Sequence, residues 1–188
     1  QYFAVQPFVD TQENLAFCGP ASMAAVLNSL PQEARPVPPQ LKPFAYFTQD
    51  SFFNPQTRHI KSREATLRSG LTLQQSTELL QSFGVLANRF YGEQLTEASF
   101  RDLIISSLKD PQARLIVNFD RKALRQTGAG HLSPSAAYDP QTDSVLILDV
   151  AKFKYPPFWV TVTDLLNAMN TIDPDSGLSR GVIRVTVH

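Results

Sequence analysis

The helix signals and the strand signals of this chain lie in different parts of the sequence. Before residue 112, Thr72 to Gln75 form a capping box, and apolar side chains recur at helical spacing from Phe100 to Leu108. After residue 112 the apolar runs are short and bounded by turn residues, as expected for strands at 115–120 and 181–187 and for a hairpin at 131–149. Helices followed by antiparallel strands predict an α+β fold in a single domain, 1–188, with a helical part of about 1–112 and a sheet part of about 113–188.

Charge and composition exclude several classes of function. The 17 basic and 17 acidic residues give a formal net charge of zero, and no basic stripe of the kind that binds nucleic acid is present. No apolar run approaches the ~20 residues of a membrane span, so we expect a soluble protein. The chain begins at Gln1 and not at methionine, which is consistent with a removed leader and leaves the cytoplasm and the periplasm open.

Cys18 is the only cysteine of the chain, and small helix-forming residues follow it from Gly19 to Ala25. One cysteine excludes an internal disulfide and a thiolate zinc cluster. A helix that begins at Cys18 directs unpaired N–H groups and positive potential at the sulfur, and a neighbouring histidine lowers the pKa of such a thiol from about 8.5 to roughly 3.5–7.5. The sequence therefore offers Cys18 as a nucleophile, with a buried structural cysteine as the alternative.

His131 is the histidine for which the pattern supplies a partner. It opens the predicted hairpin, and Asp149 is the one carboxylate on the apolar run 144–150. If the turn is centred on Gln141, Ser133 faces Asp149, and His131 becomes its diagonal neighbour at roughly 7–8 Å. A buried carboxylate needs a partner, so Cys18, His131 and Asp149 can act as nucleophile, base and orienting group if the nucleophile helix packs on this sheet. The alternatives are a structural strand histidine and a surface acid at a strand end.

Several blocks of the sequence resemble one known family. The blocks are Phe17-Cys18-Gly19-Pro20-Ala21-Ser22 with Val26-Leu27-Asn28-Ser29-Leu30 behind it, Gly130-His131-Leu132-Ser133-Pro134, and 145–160, with further likeness at 47–53 and 168–173. On these residues the chain resembles the phytochelatin synthases, whose fold is that of the papain-like cysteine proteases. The resemblance covers nearly the whole chain and implies a papain-like α+β fold, with the nucleophile helix packed on an antiparallel sheet.

The resemblance also implies roles for single residues. It gives Cys18 as nucleophile, His131 as general base and acid, and Asp149 as the group that orients the imidazole. Gln12, six residues before the cysteine, matches the oxyanion-hole glutamine of papain-like enzymes. The positions that resemble those holding the γ-glutamyl end of the substrate are Asn118, Gly130 and Arg180. A guanidinium such as that of Arg180 can bind a carboxylate through two parallel hydrogen bonds.

The family reaction implied here is acyl transfer on glutathione. The thiolate attacks the Cys-Gly peptide bond, glycine leaves, and a γ-glutamylcysteinyl thioester passes to water or to a second glutathione. The chain stops at His188 without the cysteine-rich C-terminal region of the plant-type members, so it resembles the short bacterial form, for which hydrolysis is at least as strong an expectation as polymer synthesis. We expect glutathione as the partner and no built-in metal or cofactor. A heavy-metal ion such as cadmium would arrive as a glutathione thiolate in the substrate. The sequence leaves open whether the protein forms a homodimer.

Two other functions are compatible with the sequence. The same cleft could belong to a non-catalytic binder of glutathione or of metal thiolates, although such a binder has no need of Cys18, His131, Asp149 and Gln12 together. A cysteine peptidase or amidase that acts on another γ-glutamyl peptide or on ordinary peptides would keep all four. No motif in the sequence describes the pocket of the leaving group, so the products distinguish these functions.

Overall fold

The computed structural model describes residues 1–31 and 34–187, so the terminal His188 lies outside the described residues. The helices are α1 (Tyr2–Val5), α2 (Cys18–Ser29), α3 (Arg63–Ser69), α4 (Leu73–Gln81), α5 (Glu97–Lys109) and α6 (Val162–Met169). The strands are β1 (Leu86–Tyr91), β2 (Ala113–Asp120), β3 (Gly130–Asp139), β4 (Ser144–Ile147), β5 (Phe158–Thr161) and β6 (Gly181–Thr186). None of the helices in these ranges combines the length and the apolar character that crossing a membrane requires.

The six strands form one antiparallel sheet in the order β1-β6-β2-β3-β4-β5. Strands β2 and β6 are central and mostly buried, whereas β1 and β5 are edges. The first half of the chain contributes one edge through β1, so the sheet joins both halves of the sequence. The fold is therefore α+β, as the sequence predicts.

The two faces of the sheet carry separate apolar cores. Because side chains alternate along a strand, Ile116 of β2 packs with α2 and α4 on one face, whereas Leu115 and Val117 pack with α5 and α6 on the other. Helix α2 is buried along almost its whole length, with only Ser29 half-buried. Its alanines and its glycine let the backbone lie close to the sheet, which brings its first residue, Cys18, to the start of β3.

The elements with strong local signals lie where the sequence predicts them. Thr72 and Gln75 form the capping box of α4, and the helix from Glu97 ends at Lys109, before the Asp110-Pro111 stop. The strands expected at 115–120 and 181–187 correspond to β2 and β6, and the expected hairpin is β3–β4.

The division of the chain at about residue 112 is wrong in two places. Strand β1 lies in the part expected to be helical, and α6 lies in the part expected to form only sheet. Strand β1 is an edge whose side chains, apart from Ala87, are exposed or half-buried, so its sequence has no alternating apolar pattern to reveal it. Helix α6 has only eight residues, too few for its apolar periodicity to stand out from a buried strand.

Gly181 of β6 provides a test of this packing. It pairs with Tyr91 on one side and Asn118 on the other, and a Cβ placed there would lie 2.0 Å from the carbonyl oxygen of Phe90. Gly181→Ala should therefore cost at least about 3 kcal/mol of unfolding free energy, at the upper end of overpacking effects, because a backbone atom must move. Denaturant unfolding measures this loss.

Gly84 is the matched control. A Cβ at Gly84 meets nothing within 4 Å, but the residue has a φ of +77°. Gly84→Ala should lower the unfolding free energy by only roughly 1–2 kcal/mol, which is the cost of placing an L-residue in the left-handed backbone conformation. Equal losses for the two variants would show that the close approach of Gly181 to β1 does not exist.

Candidate active site

Cys18 is the first residue of α2 and is buried, with 8% of its surface exposed. One turn further along the helix, the hydroxyl of Ser22 donates a hydrogen bond of 3.0 Å to the carbonyl oxygen of Leu132. Leu132 follows His131 in β3, so this bond joins the start of the helix to the strand residue beside the imidazole. The imidazole of His131 lies beside the thiol and lowers its pKa.

His131 and Asp149 meet in the interior of the protein. His131 Nε2 lies 2.9 Å from Asp149 Oδ1, and both side chains are at least 95% buried. Ser133 Oγ lies 2.9 Å from the same Nε2, and the ring of Phe119 packs edge-on against the imidazole. Because Asp149 engages Nε2, Nδ1 is the nitrogen left to face the thiol of Cys18.

The β3–β4 register explains this meeting. Near the turn, Asp139 pairs with Ser144, one residue out of the register expected for a turn centred on Gln141. A bulge between Ser135 and Ala137 absorbs the difference, and Ser135 then pairs with Ile147 as that register requires. Strand β4 ends at Ile147, so Asp149 lies just beyond the strand and not on it, contrary to the sequence-based expectation.

Arg121 is a further member of this group, and no sequence pattern points to it. Its Nη2 donates to Asp149 Oδ1 at 2.9 Å, and its Nη1 lies 2.8 Å from Oδ2. The guanidinium also donates to Gln126 and lies 4.9 Å from the centre of the Tyr155 ring. Arg121 is 2% exposed, so Asp149 has a buried cationic partner besides His131.

The pKa shifts of the three groups follow from these contacts. Burial raises the pKa of Cys18, whereas the hydrogen bond and charge of His131 and backbone contacts at Leu132 and Gly19 lower it. The lowering effects outweigh burial, so the pKa of Cys18 falls below its ordinary value. Burial lowers the pKa of His131, and hydrogen bonds and charge from Asp149 and Cys18 raise it above its ordinary value. Burial raises the pKa of Asp149, and His131 and Arg121 together bring it down to about 2. Relative to the free side chains, these shifts favour the thiolate of Cys18, the imidazolium of His131 and the carboxylate of Asp149.

Gln12 lies next to the segment that carries Asp149. Its backbone N–H donates to the carbonyl oxygen of Val150 at 2.8 Å, and its side chain is 4% exposed. The side-chain Nε2 donates to the carbonyl oxygen of Asn14 at 2.6 Å. An amide nitrogen carries two hydrogens, so one N–H of Gln12 remains for another acceptor.

The expected substrate-binding residues line one cleft together with the thiol. Cys18, Asn118, Gly130 and Arg180 all border a cavity of about 370 Å³. Asn118 and Gly130 lie on neighbouring strands of the sheet, and Arg180 precedes β6. The structure thereby brings together residues more than 160 positions apart in the sequence.

Arg180 is buried without a carboxylate partner among the described residues. Its side-chain hydrogen bonds to the described residues all run from Nη1, to the backbone carbonyls of Thr171 and Ile172 and to the hydroxyl of Thr171. Its Nε is buried and has no partner there. A Cβ on Gly130 would lie 2.8 Å from Nη2 and 3.0 Å from Nε, so the missing side chain keeps this edge of the guanidinium open.

The described parts of the chain contain no cluster of three or more His, Cys, Asp or Glu side chains arranged to hold a metal ion. Asp173, Asp175 and Arg68 also border the cleft.

The pH dependence of Cys18 alkylation tests the electrostatics of the site. Since the chain has one cysteine, iodoacetamide reports on this thiol alone. In the wild type the alkylation rate should rise with pH around a midpoint below about 8.5, the value of a free cysteine. In His131→Ala the midpoint should move above that value, because burial then acts on the thiol without a compensating cation.

His59→Ala, at an exposed loop histidine, is the control and should keep the wild-type midpoint. A shared midpoint for the wild type and His131→Ala would contradict the thiolate–imidazolium pair.

Comparison with known proteins shows which family this chain is related to. The family described as phytochelatin synthase matches residues 1–182. Glutathione gamma-glutamylcysteinyltransferase 3 of Lotus japonicus is 36% identical over an alignment of 188 positions that covers 98% of this chain and 37% of that protein. A glutathione gamma-glutamylcysteinyltransferase of Triticum aestivum is 35% identical, over 98% of this chain and 36% of that protein. The one of Schizosaccharomyces pombe is 31% identical, over 97% of this chain and 42% of that protein.

The chain thus spans less than half the length of these curated relatives. The family match extends over both core faces of the sheet and includes Cys18, His131 and Asp149. On that match, the chain belongs to the phytochelatin synthase family.

Proposed function

We propose that this chain catalyses thiol-dependent acyl transfer on glutathione, with Cys18 as nucleophile, His131 as general acid and base, and Asp149 as orienting group. The observation that carries the proposal is the buried contact of His131 with both Cys18 and Asp149, at the border of a cleft that holds an unpaired arginine edge. The names of the relatives, glutathione gamma-glutamylcysteinyltransferases, agree with this chemistry. We further propose that the 188 residues act as one catalytic domain of papain-like fold, supported by the hydrogen bond that joins the nucleophile helix, through Ser22, to the histidine-bearing strand.

The γ-glutamyl end of glutathione is bound by Arg180, Asn118 and Gly130 in this proposal. The α-carboxylate of the substrate accepts hydrogen bonds from Nε and Nη2 of Arg180, the edge that has no carboxylate in the described protein. Gly130 allows the substrate to approach that edge, and the side-chain amide of Asn118 offers both a donor and an acceptor. Since Arg180 is 6% exposed, its charge is only weakly screened by water.

In the first step the thiolate of Cys18 attacks the carbonyl carbon of the Cys-Gly peptide bond. The negative charge that develops on the carbonyl oxygen is stabilised by the free N–H of Gln12 and the backbone N–H of Cys18. The imidazolium of His131 then gives its proton to the glycine nitrogen, the C–N bond breaks, and glycine leaves. A γ-glutamylcysteinyl thioester remains on Cys18, with His131 neutral.

In the second step, neutral His131 removes a proton from water or from the α-amino group of a second glutathione. The activated nucleophile attacks the thioester, and the thiolate of Cys18 leaves as the new bond forms. Water gives γ-glutamylcysteine, and glutathione gives a phytochelatin with two γ-Glu-Cys units. A heavy-metal ion such as cadmium would enter this scheme as a thiolate complex of the substrate, and not as a resident cofactor.

Product analysis tests this function. Incubation with glutathione, followed by mass spectrometry with and without cadmium, should show glycine together with γ-glutamylcysteine, phytochelatin or both. Cys18→Ala should lower product formation by at least about a thousandfold while leaving the fold intact, because the change removes one small side chain at a helix start. Glycine release by Cys18→Ala at the wild-type rate would exclude Cys18 as nucleophile.

Substrate specificity provides an independent test. In the α-linked tripeptide Glu-Cys-Gly the α-carboxyl group of Glu is consumed in the peptide bond and the free carboxylate is the side-chain γ one, so Arg180 is left buried and unpaired, and this tripeptide should react at least about a hundredfold more slowly than glutathione. Arg180→Lys should raise KM for glutathione although it keeps the charge, since an ammonium cannot make the two parallel hydrogen bonds. Comparison of kcat/KM for the two tripeptides measures this difference. Equal values would indicate a general peptidase.

A further inference from the structure

The guanidinium of Arg180 is held along one edge by a short segment of the loop after α6. Nη1 donates to the carbonyl oxygen of Ile172 at 2.7 Å and to the hydroxyl of Thr171 at 3.1 Å, with the Thr171 carbonyl oxygen at 3.4 Å. All three acceptors lie on one side of the side chain. The opposite edge, formed by Nε and Nη2, faces Gly130 and the cleft.

These acceptors fix the guanidinium without neutralising it. They are neutral oxygens, so the positive charge of Arg180 stays available to a substrate. Arg121 shows the contrasting arrangement, because its two Nη atoms meet the carboxylate of Asp149. Two buried arginines thus have different electrostatic surroundings, set by their neighbours.

The hydroxyl of Thr171 is itself held in one orientation. Its Oγ1 donates a hydrogen bond of 2.7 Å to the carbonyl oxygen of Ala168, near the end of α6. With its hydrogen directed at Ala168, the hydroxyl turns a lone pair towards Nη1 of Arg180. The backbone N–H of Arg180 also donates to the carbonyl oxygen of Thr171 at 3.0 Å, so the two residues are joined by side chain and main chain. Thr171 therefore links the end of helix α6 to the guanidinium of Arg180 and restricts the rotation of the guanidinium plane.

Resting on the function proposed above, we propose that Thr171 is a positioning residue that sets the specificity for γ-linked substrates by orienting Arg180. Bidentate binding of a carboxylate requires the plane of the guanidinium to be presented at a fixed angle. The thioester chemistry at Cys18 does not depend on that angle. Loss of the Thr171 hydroxyl should thus weaken substrate recognition and leave the chemical step almost untouched.

Thr171→Val tests this inference, because valine keeps the β-branched shape and removes only the hydroxyl. For glutathione, kcat/KM should fall about tenfold, through KM and not through kcat. The ratio of kcat/KM between glutathione and α-linked Glu-Cys-Gly should fall with it. Thr171→Ser retains the hydroxyl and should recover most of the lost selectivity.

A double-mutant cycle separates positioning from stability. In an Arg180→Ala background, Thr171→Val should have no further effect on KM, since the group that it positions is gone. Thr77→Val is the matched control: Thr77 is buried and donates to a helix carbonyl at 2.8 Å, but it has no contact with Arg180. Denaturant unfolding of all variants reports any general loss of stability, and Thr171→Ala serves as a second hydroxyl deletion.

The outcomes distinguish this inference from the proposed function. A wild-type protein without turnover of glutathione would refute the function, and the inference with it. An active wild type in which Thr171→Val keeps its KM and its γ-to-α selectivity would overturn the inference alone. So would an effect of Thr171→Val that persists in full in the Arg180→Ala background, because that result assigns the residue a purely structural role.

Discussion

The carboxylate of Asp149 is the group on which the arrangement of the site depends. It has almost no exposed surface, and its Oδ1 atom accepts hydrogen bonds from Arg121 and from the backbone N–H of Ala151 and contacts His131 Nε2. A buried carboxylate is costly unless cations and N–H groups replace its lost water. Here they do so from three segments of the chain, and they fix the imidazole with its other nitrogen towards Cys18.

The charges around this carboxylate alternate in sign. Arg121 contacts Asp149, Asp149 contacts His131, and His131 contacts Cys18, so the order in the reactive state is plus, minus, plus, minus. Each ion has an opposite neighbour, and the set is neutral as a whole. This alternation explains how a buried thiol can have a pKa below its ordinary value, although burial alone would raise it. Arg121 contributes because its hydrogen bond and charge help to keep Asp149 ionised beside His131.

Local signals let the sequence predict the main elements and the grouping of Cys18, His131 and Asp149. The meeting of His131 with Asp149 follows from strand periodicity and the position of one turn, and the bulge near Ala136 preserves the required register despite the offset at the turn. Strand β1 could not be predicted, because it is an edge strand with little apolar alternation. Arg121 could not be predicted either, since an arginine after a strand is common and only the tertiary fold brings it to Asp149. The environment of Arg180, with neutral acceptors on one edge and an open cleft on the other, is likewise a property of the folded chain.

As the proposed nucleophile, Cys18 carries the acyl group between the two steps of the reaction. Acid quenching of the enzyme shortly after mixing with glutathione, followed by mass spectrometry of its peptides, detects this intermediate. The peptide that contains Cys18 should bear a γ-glutamylcysteinyl group in the wild type and no such group in Cys18→Ala. An adduct on any other residue, or turnover in which solvent ¹⁸O shows direct attack of water on the peptide bond, would contradict it.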